Sequence, residues 1–149
     1  MPNAGLYIVP DNNHSPAASR PAVQPLAGKT ILLVEDESFI AELLISWLGR
    51  LGVKTVWAGT GSEGIRLLGE HGSQINVVIA DFRLPDMDGD EMCARLRELQ
   101  PQLPVLLSSG RYHGKAEETL ARSGPTCFIQ KPYPLEDVLV KLKQWMGAA

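Results

Sequence analysis

Two spacings of apolar residues alternate along the chain. Thr30-Ile31-Leu32-Leu33-Val34 is apolar almost without a break, as a strand covered on both faces would be. The next segment, Glu37 to Leu51, sets Phe39, Ile40, Leu43, Leu44, Trp47, Leu48 and Leu51 at i, i+3, i+4 intervals and predicts an amphipathic helix. Gly52 stands where a helix end takes a left-handed residue. The couple then recurs. Strand Thr55 to Ala58 precedes helix Ser62 to Glu70, with Ile65, Leu67 and Leu68 inward, and strand Asn76 to Ala80 precedes helix Glu91 to Leu99, with Met92, Leu96 and Leu99 inward. Strand Pro104 to Ser108 precedes a helix over Gly114 to Arg122, where only Ala116, Leu120 and Ala121 are apolar. Strand Cys127 to Ile129 leads to a last helix started by Pro134, whose buried stripe is Leu135, Val138, Leu139, Leu142 and Trp145.

Residues 1–27 break this rhythm. Pro2, Pro10, Pro16, Pro21 and Pro25 stand there among Asn, Ser and Ala, which discourages regular structure and predicts a flexible tail before a domain at 28–149. Leu6-Tyr7-Ile8-Val9 is the exception, an apolar run that is either a docking peptide or a chance cluster. Strands apolar on both faces, alternating with helices, predict a parallel sheet covered on both sides and joined by right-handed crossovers. The fold class is thus α/β, a doubly wound domain of five units. Ligands of such sheets sit beyond the carboxyl ends of the strands, where the strand order reverses.

Composition narrows the classes. At 149 residues the chain is one domain long, and its 44% hydrophobic and 21% charged residues are globular values. No apolar stretch approaches the roughly 20 residues that cross a bilayer, so membrane insertion is not expected. The net charge is −3 and the 14 basic residues are scattered, which speaks against a nucleic-acid footprint. Cys93 and Cys127 form neither a CxxC pair nor a disulfide framework, and the N-terminus lacks a basic segment followed by an apolar one. A reducing, cytoplasmic setting is the expectation.

The strand ends carry the candidate chemistry. They read Glu35-Asp36-Glu37, Asp81, Ser108-Ser109-Gly110 and Lys131-Pro132. Carboxylates gathered at one edge repel unless a cation lies between them, and a few carboxylates plus retained waters suit Mg²⁺. With a phosphoryl group added, Asp81 becomes a nucleophile able to form an acyl phosphate, and Lys131 and the metal neutralise the transferring oxygens. One of the adjacent Ser108 and Ser109 would donate to a phosphoryl oxygen, and strand alternation leaves open which. His14, His71 and His113 are not spaced with other ligands and read as solvated surface residues. Trp47 and Trp145 fall on apolar stripes, and Cys93 reads as a helical thiol.

Val34-Glu35-Asp36-Glu37, Val78 to Gly89, Pro104 to Gly110 and Phe128 to Tyr133 together resemble the receiver domain of two-component response regulators, the CheY-like superfamily, over about residues 28–147. The resemblance implies a flavodoxin-like sheet with strand order 2-1-3-4-5. It also implies phosphotransfer to Asp81 from a histidine kinase or a histidine phosphotransfer protein. Glu35 and Asp36 become the acidic pair that holds Mg²⁺ with Asp81, and the backbone carbonyl of Arg83 a further ligand. Ser109 is selected as the switch hydroxyl because it precedes the small Gly110. Phe128, three residues before Lys131, becomes the switch aromatic. The output surface is then the face of the fourth helix, fifth strand and last helix, offered to a downstream protein. Arg83 and Arg111 flank the pocket and could tune the acyl-phosphate lifetime.

Glu35, Ser109 and Phe128 depart from the residues commonest in the family. Such a chain is a phosphoacceptor rather than an enzyme. Alternatives are the receiver module of a hybrid histidine kinase, a passive phosphoryl sink, and an aspartyl-phosphate phosphohydrolase, which would want an acid two residues past the nucleophile where Arg83 stands.

Overall fold

The computed structural model describes residues 5–7, 26–110, 118, 120 and 122–147. Among the described residues, six strands form one sheet: β1 (Gly5–Tyr7), β2 (Thr30–Val34), β3 (Lys54–Ala58), β4 (Val77–Asp81), β5 (Val105–Ser109) and β6 (Thr126–Gln130). Their spatial order is β1-β3-β2-β4-β5-β6. Strands β2 to β6 run parallel in the order expected for five strands, and β1 adds an antiparallel edge on β3. The connections include α1 (Ser38–Arg50), α2 (Gly61–His71), α3 (Gly89–Leu99) and α4 (Leu135–Met146), with a 3₁₀ turn at Gly72–Gln74. Of the helix expected over 114–122, residues 118, 120 and 122 are described; they are helical, and Leu120 is buried. The rest of that helix lies outside the described residues.

The period-two alternation of each strand divides the core into two layers. Ile31, Leu33, Val77, Ile79 and Leu106 pack with α1 and α4, while Leu32, Val34, Val78, Ala80 and Leu107 pack with α2 and α3. Each of the Val, Leu and Ile side chains among these, taken fully out of water, contributes on the order of 1.5–3 kcal/mol. Gly52 has a φ of +87° just past α1, the left-handed place expected of it.

Several assignments shift. The eight apolar residues of α1 cover a wider arc than one sheet can bury, and Leu51 falls just past its end. The arc that faces the sheet is Ala41, Leu44, Ile45 and Leu48, while Phe39 and Leu43 stay 71% and 56% exposed. Leu99 and Leu135, at helix ends, are also exposed. In α3, Arg97 takes an inward place at 9% exposure: its guanidinium donates to the Leu103 carbonyl, to the Pro125 carbonyl and to Thr126 Oγ1. Buried carbonyls at loop ends need donors, and a long arginine supplies several at once. Two parts of the segment expected as a tail carry structure. Gly5–Tyr7 is β1, and Leu26 is fully buried under α1 and α4.

Candidate functional site

The strand order reverses between β2 and β4, so connections leave these strands in opposite directions and open a crevice at their carboxyl ends. Glu35 and Asp36 follow β2, Asp81 ends β4, Ser109 ends β5 and Lys131 follows β6. Lys131 Nζ lies 2.9 Å from Asp81 Oδ2 and 4.0 Å from Glu35 Oε1. One carboxylate oxygen from each of Glu35, Asp36 and Asp81 lies within 4.8 Å of the other two. Magnesium takes oxygens at about 2.1 Å, hence about 3 Å apart when cis and about 4 Å when trans, so three hard oxygen donors at this spacing fit it with small movements. The donor set suits the ion implied by the sequence.

Backbone groups orient the acids. Glu37 N–H donates to Glu35 Oε2 at 3.2 Å, and Arg83 N–H donates to Asp81 Oδ1 at 3.0 Å. Burial pushes the Glu35 carboxyl up to about 7, against the Glu37 amide and Lys131, and the carboxylates of Asp81 and Asp36 push the same way. Burial also disfavours the charged Lys131, but the hydrogen bond it donates to Asp81 and the fields of Asp81 and Glu35 outweigh it and hold the ammonium above its usual range. A lysine that stays charged against two carboxylates is ready to meet an incoming anion.

Both serines reach this edge. Register sets Ser108 opposite Asp81 and Ser109 one residue further toward the carboxyl end. Ser108 Oγ is 3.5 Å from the Ala80 carbonyl, and the Tyr133 phenol beside it is pushed up by burial against the opposing effects of Lys131 and Ser108. Phe128 is half-buried on β6 and packs on Phe82, ring centroids 5.6 Å apart at 42°. Arg83 is exposed on the rim, and Arg111, His14 and His113 lie outside the described residues. Cys93 is buried, which pushes its thiol up to about 11.

Three supporting residues escape a reading of the sequence. Asp86, in the loop after Asp81, accepts from Gly61 N–H and Ser62 N–H, both at 2.9 Å, and from Ser62 Oγ at 2.8 Å. It therefore caps α2 from another loop, and a Cβ on Gly61 would stand 2.6 Å from Met87 Cγ, so a larger residue there would displace the Met87 side chain. Trp57 Nε1 donates to the Glu35 carbonyl at 2.9 Å. Tyr133 backs Ser108. The Pro85-Asp86-Met87-Asp88-Gly89 run signals a turn, but nothing in it names α2 as the partner.

The sheet and its edge define a flavodoxin-like α/β domain with an acid–lysine pocket at its switch point. The response regulator receiver domain profile matches residues 31–143, and the chain belongs to that family. Receiver domains are signalling modules of two-component systems and interact with histidine kinases or phosphotransfer proteins. The Regulator of RpoS of Escherichia coli (strain K12) is 42% identical over 86 residues, 58% of this chain and 25% of that protein. The Sensor kinase CckA of Brucella abortus (strain 2308) is 29% identical over 121 residues, 78% of this chain and 12% of that protein. The chain thus spans a quarter or less of these relatives. Among solved structures, the non-phosphorylated HemR receiver domain from Leptospira biflexa matches with a TM-score of 0.73 and 27% identity, covering 81% of this chain and 96% of that one. A receiver domain protein from Clostridium thermocellum has a TM-score of 0.75 at 23% identity, covering 79% and 94%, and shares the fold. Among the described residues, no helix is long and apolar enough to cross a membrane.

Proposed function

We propose that this chain is a cytoplasmic receiver that accepts a phosphoryl group on Asp81 from a histidine kinase or histidine phosphotransfer protein and then alters a partner-binding face. The observation that carries this reading is the approach of Lys131 Nζ to Asp81 Oδ2 at 2.9 Å beside the Glu35–Asp36–Asp81 oxygen cluster. A carboxylate oxygen of Asp81 attacks phosphorus in line with the leaving imidazole nitrogen. The P–N bond breaks as the P–O bond forms, and Asp81 becomes an acyl phosphate. Glu35, Asp36, Asp81 and the Arg83 carbonyl would hold Mg²⁺, which when bound neutralises charge on the phosphoryl oxygens. Lys131, freed from Asp81, pairs with one phosphoryl oxygen. Ser109 donates to another and, with Phe128, carries the change to β6, α4 and the helix before β6.

The resemblance to a sensor kinase supports a second reading, in which the same receiver serves a hybrid kinase. Both predict one outcome in the test tube. Acetyl phosphate with Mg²⁺ should add a single phosphoryl group by intact mass, and Asp81→Asn should abolish it. Retention of the addition in Asp81→Asn would defeat the assignment.

A further inference from the structure

The apolar run at the N-terminus and the buried Trp57 meet at one strand. β1 pairs with β3 in the register Gly5↔Trp57, Leu6↔Val56, Tyr7↔Thr55. The matched family domain begins at residue 31, so β1 lies outside it. Without it, β3 would be the open edge of the sheet, held on one side by β2 alone.

That edge strand grips the acidic pair. The Glu35 amide donates to the Ala58 carbonyl at 2.9 Å, and the Glu35 carbonyl accepts from Trp57 Nε1 at 2.9 Å in a buried contact. The last two residues of β3 therefore hold Glu35 on both sides. The carbonyl in question belongs to the peptide unit between Glu35 and Asp36. Because a peptide is planar and rigid, a tilt of that unit re-aims both carboxylates together. A donor on it sets the bite of the pair as second-sphere groups set the orientation of ligands.

We infer that Trp57 is a positioning residue for the Glu35–Asp36 pair and that β1, seated on the same strand, holds Trp57 in place, so that the N-terminal segment tunes the metal affinity of the pocket. This rests on the reading of Glu35 and Asp36 as metal ligands. The tether allows it to be a tunable support. Tyr7 lies opposite Thr55 and Thr30 opposite Lys54, so the end of β1 and the start of β2 share one end of the sheet, two strand spacings or about 10 Å apart. Residues 8–25 lie between Tyr7 and the buried Leu26 and could span about 60 Å when extended. That length exceeds what closure needs, so the connectivity of the chain does not force β1 onto β3.

The test uses the full chain and Mg²⁺ alone. Trp57→Phe keeps a ring and removes the N–H. Leu6→Pro and Tyr7→Pro are made separately, because alternate residues of an antiparallel strand point their N–H at the partner and proline deletes one of them. Mg²⁺ affinity is read by amide chemical-shift titration, and solvent exchange of the Trp57 indole N–H is read without metal. Trp57→Phe should weaken Mg²⁺ about tenfold, and at least one proline variant should weaken it about threefold. That proline variant should also speed indole exchange while melting stays cooperative. Val53→Ala thins the same core layer away from Glu35; if it weakens Mg²⁺ as much as Trp57→Phe, the effect is packing and the inference falls. Unchanged affinity in Trp57→Phe, or in both proline variants, also overturns it. Absence of Mg²⁺ binding by the unaltered chain would overturn the ligand reading itself, a result distinct from the others.

Discussion

Glu35 shows how one residue can carry information that its letter lacks. In sequence it is an acid in a run of acids; in the fold it is 2% exposed, and burial lifts its carboxyl from 4.5 to about 7. Between those pH values the folded, metal-free chain keeps a proton that the unfolded chain has released. The stabilisation from Glu35 is therefore complete below about pH 4.5 and is lost as pH rises through about 7. Mg²⁺ competes with that proton, so its affinity should climb across the same window. In Glu35→Gln the thermal midpoint measured in chelator should fall less steeply between pH 4.5 and 7 than in the unaltered chain. Equal slopes would show that Glu35 is not the group that titrates. Arg97 teaches the opposite lesson. A charged letter on a helix predicts solvent, and it is buried because three oxygens at loop ends need its donors.

At the scale of the element, strands and helices follow the apolar periods closely because period two and period 3.6 arise from backbone geometry alone. The expected helix Ser62 to Glu70 is α2, Gly61–His71, one residue longer at each end. What periodicity omits is how an element is fastened. Thr60 caps α2 locally by accepting from Glu63 N–H at 3.1 Å, a feature within one turn of sequence. Asp86 caps it from 24 residues away, and the hydrogen bonds from Ser62 and Gly61 hold its carboxyl below the usual range despite burial. Asp86→Ala should leave the Gly61 and Ser62 amides without this acceptor and cost about 1 kcal/mol, read as a lowered urea midpoint. The difference should shrink as pH falls from 3.8, the ordinary aspartate value, through the lower value that Asp86 has in the fold. A variant as stable as the parent at neutral pH would show that Thr60 alone suffices.

Across the whole molecule, the pocket and the output face are joined through the sheet. Lys131 N–H donates to the Ser109 carbonyl at 2.7 Å, so β5 and the residue after β6 move as one, and Phe128 stacks on Phe82 next to Asp81. A phosphoryl mimic at Asp81 would shift a population between two arrangements rather than unfold anything. Beryllofluoride with Mg²⁺ should therefore change amide hydrogen exchange in β6 and α4 as well as in the loop at 82–88. Changes confined to that loop would favour a passive phosphoryl carrier over a switch.

The sequence by itself determined the parallel sheet, its strand order through the family resemblance, and the polar residue at each strand end. These depend on local period and on motifs a few residues long. Only the tertiary structure decided which arc of α1 is buried, that Arg97 lies inside, that Leu26 and Gly5–Tyr7 join the core and sheet, and that Trp57 and Asp86 hold the residues around Asp81. Each of these is a contact between segments far apart in the chain. Its partner is chosen by which surfaces the packed sheet brings within hydrogen-bonding or van der Waals reach, and no local pattern carries that choice.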